Sequence, residues 1–308
     1  MECIEQLINN TNDMDCVSTL MTQLKLEAPD GITESDLYKL AIEICANWIN
    51  KHPAYGSMAT KLTVAEMHRK SCDTFMEKTN KLADILDPDY VRFCRENERV
   101  IADAIDYERD YTFDYFGLST LRNGYLLRLK QDETTQERPQ DMWMRVSLFL
   151  NIGNISSALR SYHMMSGKQF THATPTLFHA GLKQSQMLSC FLIGLGDSID
   201  GIFETVKDCA KISKWAGGIG MHLSNIRAKG AWINGTSMES PGVVPMLQVF
   251  NQTIRYLNRN NKRHSSVAAY LEPWHGDVEE FLEIRTNTGN QENKCRDIFT
   301  ALWIPDLF

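Results

Sequence analysis

The fold is decided by residues 187–223, which read MLSCFLIGLGDSIDGIFETVKDCAKISKWAGGIGMHL. The short apolar run 187–195 predicts a buried strand. Ile199, Ile202 and Phe203 then recur at the spacing of one helix face, and 216–223 predicts a second, glycine-rich strand. The same alternation continues with a helix at 244–257, a strand at 266–271, a helix at 277–284 and a strand at 298–304. Strands that alternate with helices are typical of a parallel α/β sheet or barrel.

Upstream of residue 170 the sequence predicts helices. Apolar residues at 42, 45, 48 and 49 form a helical stripe, and residues 31–36 supply a turn and an N-cap before Leu37. The His52-Pro53 pair interrupts this pattern, which resumes at Ala59. The polar segment 131–140 predicts a loop, and Pro139 suits the first position of a following helix.

Composition excludes several classes of protein. Hydrophobic residues make up 43% of the 308 residues, which suffices for a core and about two domains. The formal charge is −7, and a pI near 5.7 argues against a general nucleic-acid binder. No apolar run reaches the roughly 18 residues of a membrane span, and the acidic N-terminus lacks the pattern of a signal peptide. We therefore expect a cytoplasmic protein with neither a membrane nor a nucleic-acid partner.

The eight cysteines include no C-x-x-C pair and no cluster with zinc spacing, so the sequence predicts no metal site. Each cysteine is, by default, a small buried hydrophobe in a reducing compartment. This is also the ordinary interpretation of Cys190, which lies in the first predicted strand beside Ser189.

Several polar residues leave two interpretations open. Asp197 and Ser198 begin a helix, where free N–H groups suit phosphate, although either residue also suits a plain N-cap. Lys214 and Arg227 suit phosphate or a solvated surface. The basic loop 258–266 suits an anionic ligand or solvent. Glycines 217, 218 and 220 precede a strand and not a helix, so they are not a dinucleotide fingerprint.

Seven segments, in this order and spacing, resemble the large subunit of class I ribonucleotide reductase of the eukaryotic and large-DNA-virus type. They lie at residues 107–117, 137–145, 170–178, 188–192, 216–220, 270–275 and 301–308. The resemblance implies an α/β protein in which N-terminal helical domains are followed by the first part of a ten-stranded α/β barrel. It implies a partial, degenerate ATP-cone at 1–85, a helical reductase domain at 86–170 and an incomplete barrel at 171–308.

The resemblance also assigns roles to residues. It places Cys190 in the active site as one half of a redox dithiol, Thr174 and Ser189 against the substrate diphosphate and sugar, and Gly218 in close backbone contact. The site for the allosteric deoxynucleotide effector is implied at Asp197, Ser198, Ile199, Lys214, Arg227, Asn234 and Gly235. The specificity loop that couples effector to substrate is implied at Asn258, Arg259, Asn261 and Arg263.

The activity implied is the reduction of ribonucleoside diphosphates to deoxyribonucleoside diphosphates for DNA precursor synthesis. No cofactor is bound covalently, deoxynucleoside triphosphates and ATP act as effectors, and a diiron small subunit supplies the radical. A homodimer is implied, with thioredoxin or glutaredoxin as the reductant.

The sequence departs from the family pattern at three places. The loop has Arg259-Asn260 and His264-Ser265 where glycine-rich pairs are typical, so the effector rules are in doubt. The nucleotide-binding start of the ATP-cone is absent, and Tyr38 stands where an acidic residue is usual. The second redox cysteine and the radical cysteine are expected beyond Phe308, so we expect a fragment that is inactive alone. A non-catalytic nucleotide-binding fragment from a split or truncated gene stays open as the alternative.

Overall fold

The chain forms two compact units, Met1–Met187 and Leu188–Phe308. The computed structural model describes residues 1–9, 13–129, 137–258 and 264–308. Most of the loop predicted at 131–140 therefore lies outside the described residues. The division falls after Met187, later than the barrel start predicted at 171, because the segment 174–182 packs on a helix of the first unit.

The described part of the first unit is helical. Its helices are α1 (Glu2–Ile8), α2 (Met14–Glu27), α3 (Glu34–Trp48), α4 (Pro53–Lys70), α5 (Phe75–Lys81), α6 (Pro88–Glu96), α7 (Glu98–Ala104), α8 (Tyr115–Thr120), α9 (Pro139–Leu150), α10 (Ile155–Ser166) and α11 (Thr174–His179). A 3-10 helix at Tyr107–Thr112 and a π-helical turn at Leu121–Tyr125 separate some of them.

Local sequence accounts for where these helices begin. Pro53, Pro88 and Pro139 occupy first positions, where a missing N–H costs nothing. The Thr33 side chain caps α3 by accepting from Asp36 N, as predicted. The prediction that the helical pattern resumes at Ala59 was wrong. The next helix, α4, begins six residues earlier at Pro53, the same proline that ends the preceding helical pattern.

Two apolar clusters form the core of the first unit, and α4 contributes to both. The first cluster joins α1–α3 to the N-terminal half of α4 and ends at Leu62. The second begins at Val64 and collects apolar side chains from α5–α11. The boundary at residue 85 between an ATP-cone and a reductase domain stays a prediction.

The second unit is built on a four-stranded sheet with the order β1-β2-β3-β4, in which every neighbouring pair is parallel. The strands are β1 (Cys190–Gly194), β2 (Gly218–His222), β3 (Val267–Leu271) and β4 (Ile298–Leu302). Helices α12 (Ile199–Lys214), α13 (Val243–Asn258) and α14 (Val278–Glu283) connect them. The alternation predicted from the sequence is confirmed, with boundaries shifted by a few residues.

The two faces of this sheet differ in burial. Alternate residues of a strand share a face. One face packs against α12–α14 and is buried at Ile219, Met221, Val267, Ala269, Leu271 and Ile298. The other, which we call the open face, carries Cys190, Leu192, Gly218, Gly220, Ala268 and Phe299. Leu192 is 91% exposed, so this face has space above it for a ligand or further chain.

Candidate functional site

Cys190 is the first residue of β1, and its thiol is exposed on the open face. The ordinary interpretation of this cysteine as a buried structural thiol was therefore wrong. Its Cα lies in register with that of Gly218 on β2. Because register partners in a parallel pair share a face, the thiol stands beside a position that has no side chain.

Glycines 217 and 218 serve different purposes. A Cβ added at Gly217 would lie 2.6 Å from Ile212 Cγ2, so this glycine permits close packing. A Cβ added at Gly218 would meet nothing nearer than Ser189 O, at 3.6 Å. Gly218 N also donates to Ser189 O at 2.8 Å, which joins two of the predicted substrate positions directly. Gly218 therefore leaves open space next to the thiol without being needed for packing.

Thr174 begins α11 in the first unit. Its Oγ1 lies 3.2 Å from the Tyr125 hydroxyl, and both residues line a cavity of about 580 Å³. Aromatic side chains form much of the cavity wall, including Phe113, Phe116 and Trp143. The wall is apolar over much of its area and also carries polar groups of Thr120, Tyr125, Lys168, Thr171, His172 and Thr174, a combination typical of small-molecule sites.

A buried ion pair fixes α11 from its C-terminal side. Arg145 on α9 is 1% exposed, and its Nε donates to Glu137 Oε1 at 2.6 Å. Its other nitrogens donate to the carbonyl oxygens of Leu177 and Ala180 at the end of α11. Arg145 thereby satisfies carbonyl groups that a helix end leaves free. The segment 137–145 gives no local sign of this role, since the partners of Arg145 in α11 lie over 30 residues away.

A second cavity, of about 480 Å³, lies at the N-terminus of α12, and we call it the Asp197 pocket. Arg227 Nε donates to Asp197 Oδ2 at 2.7 Å, and both side chains are only partly exposed. Ser198 caps α12 by accepting from Gly201 N at 3.0 Å. The remaining wall is apolar apart from Ser240 and comprises Ile199, Ile202, Phe203, Ile226, Ile233, Pro241, Gly242, Pro245, Met246 and Val249.

Four of the seven predicted effector residues thus line one pocket: Asp197, Ser198, Ile199 and Arg227. The cap is Ser198 alone, because the Asp197 carboxylate is turned to Arg227. The pocket therefore combines a helix N-terminus, a guanidinium and a carboxylate with apolar surface. Such a set suits a ligand with anionic, hydroxyl and planar apolar parts.

The other three predicted effector residues do not line this pocket. Lys214 is the last residue of α12, roughly 22 Å from its first at about 1.5 Å per residue. Asn234 and Gly235 lie at the exposed tip of a turn that Thr236 N closes by donating to Ile233 O. Ile233 is the nearest residue of this turn that reaches the pocket wall.

Of the predicted specificity loop, Asn258 is described, whereas Arg259, Asn261 and Arg263 lie outside the described residues. The Asn258 side chain binds the Ser265 backbone twice, at 2.8 Å and 2.9 Å, which closes the base of the loop. The buried Ser265 hydroxyl donates to Gly217 O at 2.6 Å and lies 3.0 Å from Ser213 Oγ. The sequence singled out Ser265 only as a departure from the family pattern and did not show that it ties this loop to the residue before Gly218.

One group of side chains in the first unit could hold a metal ion. Ligand atoms of Asp13, Cys16 and His52 lie within 4.8 Å of one another. Asp13 and His52 also cap helices, since Asp13 Oδ1 accepts from Cys16 N and His52 Nδ1 accepts from Ala54 N. Burial raises the pKa of the Cys16 thiol, which favours the protonated form over a metal-binding thiolate.

Burial also raises the pKa of four other thiols. It raises the pKa of Cys45 and Cys94 to about 12, and that of Cys209 and Cys295 to about 11. A thiol with so high a pKa stays protonated near neutral pH and reacts slowly. In the second unit, Cys190 is the exposed thiol, and Cys209 and Cys295 are in the core.

Comparisons with known proteins agree with this architecture. Residues 111–185 match the ribonucleotide reductase all-alpha domain, and residues 188–308 match the ribonucleotide reductase barrel domain. Together the two matches cover most of the helical segment from Tyr111 onward and the whole of the second unit. No helix within the described residues is long and apolar enough to cross a membrane.

Curated relatives are similar along most of this chain. The large subunit of ribonucleoside-diphosphate reductase from Arabidopsis thaliana is 44% identical over 291 residues, which is 90% of this chain and 35% of that protein. The corresponding large subunit from Vaccinia virus (strain Copenhagen) is 42% identical over 312 residues, 97% of this chain and 40% of the relative. Large chain 2 from Saccharomyces cerevisiae is 43% identical over 291 residues. The chain thus spans well under half the length of these relatives.

Proposed function

The chain belongs to the ribonucleotide reductase large-subunit family, and we propose on that premise that it forms part of a ribonucleoside-diphosphate reductase. The observation that carries the proposal is the exposed Cys190 thiol, in register with Gly218 on the open face. The reaction converts a ribonucleoside diphosphate and a dithiol into a deoxyribonucleoside diphosphate, a disulfide and water. The dithiol loses two electrons and two hydrogens as its S–S bond forms; one hydrogen replaces the ribose hydroxyl on carbon, and the other leaves with that hydroxyl as water.

Cys190 provides one of the two thiols in this scheme. Its partner thiol is not Cys209 or Cys295, because both are buried on the helix-covered side of the sheet. The family resemblance implies that the second thiol comes from a further segment of the enzyme, and we propose that this segment covers the open face. External thioredoxin or glutaredoxin then reduces the disulfide by thiol exchange.

Gly218 and Ser189 of the second unit hold the substrate in this proposal, whereas the role of Thr174, in the first unit, stays a prediction from the family resemblance. Gly218 allows the sugar to approach the sheet backbone, as the space above it indicates. Ser189 adjoins Gly218 through its carbonyl oxygen, and Thr174 presents a hydroxyl at the start of α11. Hydroxyls and backbone N–H groups at such positions suit diphosphate oxygens.

The Asp197 pocket is the proposed effector site for a deoxynucleoside triphosphate. Asp197 accepts from a ribose hydroxyl or a base N–H, Arg227 binds phosphate, and the apolar wall packs against the base. Asn234 and Gly235 belong to the turn beside the pocket. Asn258 and Ser265 connect the specificity loop to the start of β2.

Lys214 joins the effector site only if a second copy supplies it. It stands at the far end of α12 from the pocket of its own chain. The outward faces of α12 and α13 carry exposed apolar side chains, with Ile199 at 72% and Tyr256 at 75%. Antiparallel packing of these helices in a homodimer buries that surface and brings the partner's end of α12 to each pocket.

The radical comes from a separate diiron small subunit in this scheme, and no covalently bound cofactor is needed. All eight cysteines are free, as is typical of proteins in a reducing compartment such as the cytoplasm. We place the protein there.

Alkylation of Cys190 tests the proposal on this chain. Bound ribonucleoside diphosphate should slow the reaction of Cys190 with iodoacetamide, because the sugar covers the thiol. Cys3 is also exposed, but it lies in α1, so its rate serves as an internal control. Equal rates at Cys190 with and without saturating diphosphate would refute the substrate assignment.

Replacement of Asp197 tests the effector site. Asp197→Ala should weaken dTTP binding by about 1–3 kcal/mol, the scale of a lost hydrogen bond to a charged group. Isothermal titration measures the change, and an unchanged affinity would move the effector site elsewhere.

A second function, nucleotide binding without turnover, is favoured by one observation: in the second unit, Cys190 is the only cysteine that is not buried. A single thiol cannot supply both electrons. Turnover of the completed large subunit, with a small subunit and a dithiol, separates the two functions. Product that disappears in Cys190→Ser supports the reductase, and binding without product supports the alternative.

A further inference from the structure

A single buried carboxylate joins the two backbone walls of the Asp197 pocket. Asp277, just before α14, is 5% exposed and does not line the cavity. Its Oδ1 accepts from Lys229 N at 2.9 Å, and its Oδ2 accepts from Val243 N at 2.8 Å. One pocket wall contains Ile226 and Arg227, and the other runs from Ser240 to Met246. Asp277 therefore fixes the separation of the two walls.

The backbone at Gly242 is shaped around this carboxylate. Gly242 has a φ of +85°, in the left-handed region that favours glycine. A Cβ added there would lie 2.5 Å from Asp277 Oδ2 and 3.0 Å from Lys229 N. Only glycine at this position lets the carboxylate reach both backbone N–H groups.

His275 continues the same linkage to the other wall. Asp277 N donates to His275 Nδ1 at 3.1 Å, so the ring proton resides on Nε2. That nitrogen donates to Ile226 O at 2.7 Å. The turn between β3 and α14 thus contacts the backbone of Ile226 in one pocket wall, of Lys229 two residues beyond Arg227, and of Val243 within the segment that forms the other wall.

Asp277 also stabilises α13. Val243 is the first residue of that helix, so its N–H has no acceptor within the helix and donates to the Asp277 carboxylate instead. A negative charge at a helix N-terminus is favourable. The pocket wall at Pro245 and Met246 belongs to the first turn of the same helix, so its position follows from this contact.

We propose that Asp277 and His275 are positioning residues for effector binding: they hold the two walls of the Asp197 pocket at the separation that a deoxynucleoside triphosphate requires. They act through pocket backbone and do not touch the ligand. The inference rests on the proposed function of this pocket as the effector site. It assigns a role to two residues at the junction between the predicted strand at 266–271 and the predicted helix at 277–284.

The test is titration of the 308-residue chain and its variants with Mg²⁺ and dTTP. Asp277→Asn leaves one oxygen for two N–H donors, so we expect dTTP binding at least about tenfold weaker. The matched control is Glu280→Gln, because the exposed Glu280 pairs with the Lys229 side chain and not with the backbone that Asp277 holds. It should bind like the wild type. Hydrogen exchange at the amides of Lys229 and Val243 should be faster in Asp277→Asn alone.

A second pair of variants covers the case in which Asp277→Asn does not fold. His275→Ala removes the donor to Ile226 O and should weaken dTTP binding severalfold. His275→Gln keeps a donor at a similar reach and should restore most of the affinity. A merely structural role would lower thermal stability without this recovery of affinity.

The outcomes distinguish the positioning role of Asp277 and His275 from the proposed function of the pocket. If the wild type binds dTTP and both Asp277→Asn and His275→Ala bind equally well, the positioning role is overturned while the effector site stands. If the wild type binds no dTTP, the proposed function of the pocket is refuted, and the positioning role falls with it.

Discussion

Replacement of Arg145 by methionine should destabilise the first unit more than any surface change. Methionine fills similar space but leaves Glu137 as an unpaired buried charge and removes the donors to Leu177 O and Ala180 O. Breaking a buried pair from one side costs about 3–5 kcal/mol. For a unit of 187 residues, each kcal/mol lowers Tm by about 2–4 °C, so we expect a loss of about 6–20 °C.

Urea unfolding followed by tryptophan fluorescence measures the loss in the free energy of unfolding, since Trp143 lies on α9 two residues before Arg145. A thermal scan with the same probe measures the loss in Tm. The control is Arg92→Met, which removes an exposed pair with Asp89 and should cost less than about 1 kcal/mol. The double variant Glu137→Gln/Arg145→Met should recover part of the loss, because it removes the unpaired charge. A loss below about 1 kcal/mol in Arg145→Met would refute the reasoning, as would equal losses in Arg145→Met and its control.

Three further predictions concern the thiols, the paired glycines and the cap of α12. At pH 8, iodoacetamide should modify the native chain at the thiols that are not buried, Cys3, Cys72 and Cys190. The buried thiols of raised pKa should stay unmodified until the chain unfolds; they are Cys45, Cys94, Cys209 and Cys295. Peptide mass spectrometry of the alkylated chain measures both outcomes. Gly218→Ala should keep the wild-type Tm but weaken nucleoside diphosphate binding about tenfold, whereas Gly217→Ala should lose about 1–3 kcal/mol of stability by overpacking; the reverse pattern would contradict the assignment of Gly218. Ser198→Ala should cost about 1 kcal/mol in thermal unfolding, and no change would show that the cap is dispensable.

Raised thiol pKa values have a defined consequence for stability. The pKa of Cys45 and Cys94 is higher in the folded than in the unfolded chain, so the folded state binds these protons more tightly. Their contribution is fully present below the unfolded value of about 8.5 and is lost as pH rises toward about 12. The stability that the protonated Cys45 and Cys94 contribute is therefore lost only at alkaline pH.

Local patterns were enough to locate most elements of the second unit. The strand predicted in the apolar run at Met187–Leu195 and the helix predicted from Ile199 both appear, because strands and helices have different side-chain periods. The predicted burial of that strand was wrong, since no residue of β1 is buried. The seven family-like segments were also sufficient to identify the family. The roles of individual residues stay predictions, since the comparisons cover whole domains.

Local patterns did not show which polar residues meet. Asp197, Ser198 and Arg227 share one pocket, while Lys214, on the same helix as Ile199, stands at its opposite end. Helix rise explains the separation once the helix length is known. The pairing of Asp197 with Arg227 depends on β2 and a loop between them, so neither residue signals the other.

Periodicity and motif spacing are encoded locally, so the order of the strands and helices of the second unit, the family and the candidate residues all follow from the amino-acid sequence. The folded structure was needed to show that Cys190 is exposed beside Gly218, that Arg145 holds the end of α11 and that Asp277 joins both walls of the Asp197 pocket. These contacts join residues about 30 to 50 positions apart. Their geometry exists only after the intervening chain has folded, and the burial that gives them their energy is a property of the whole unit.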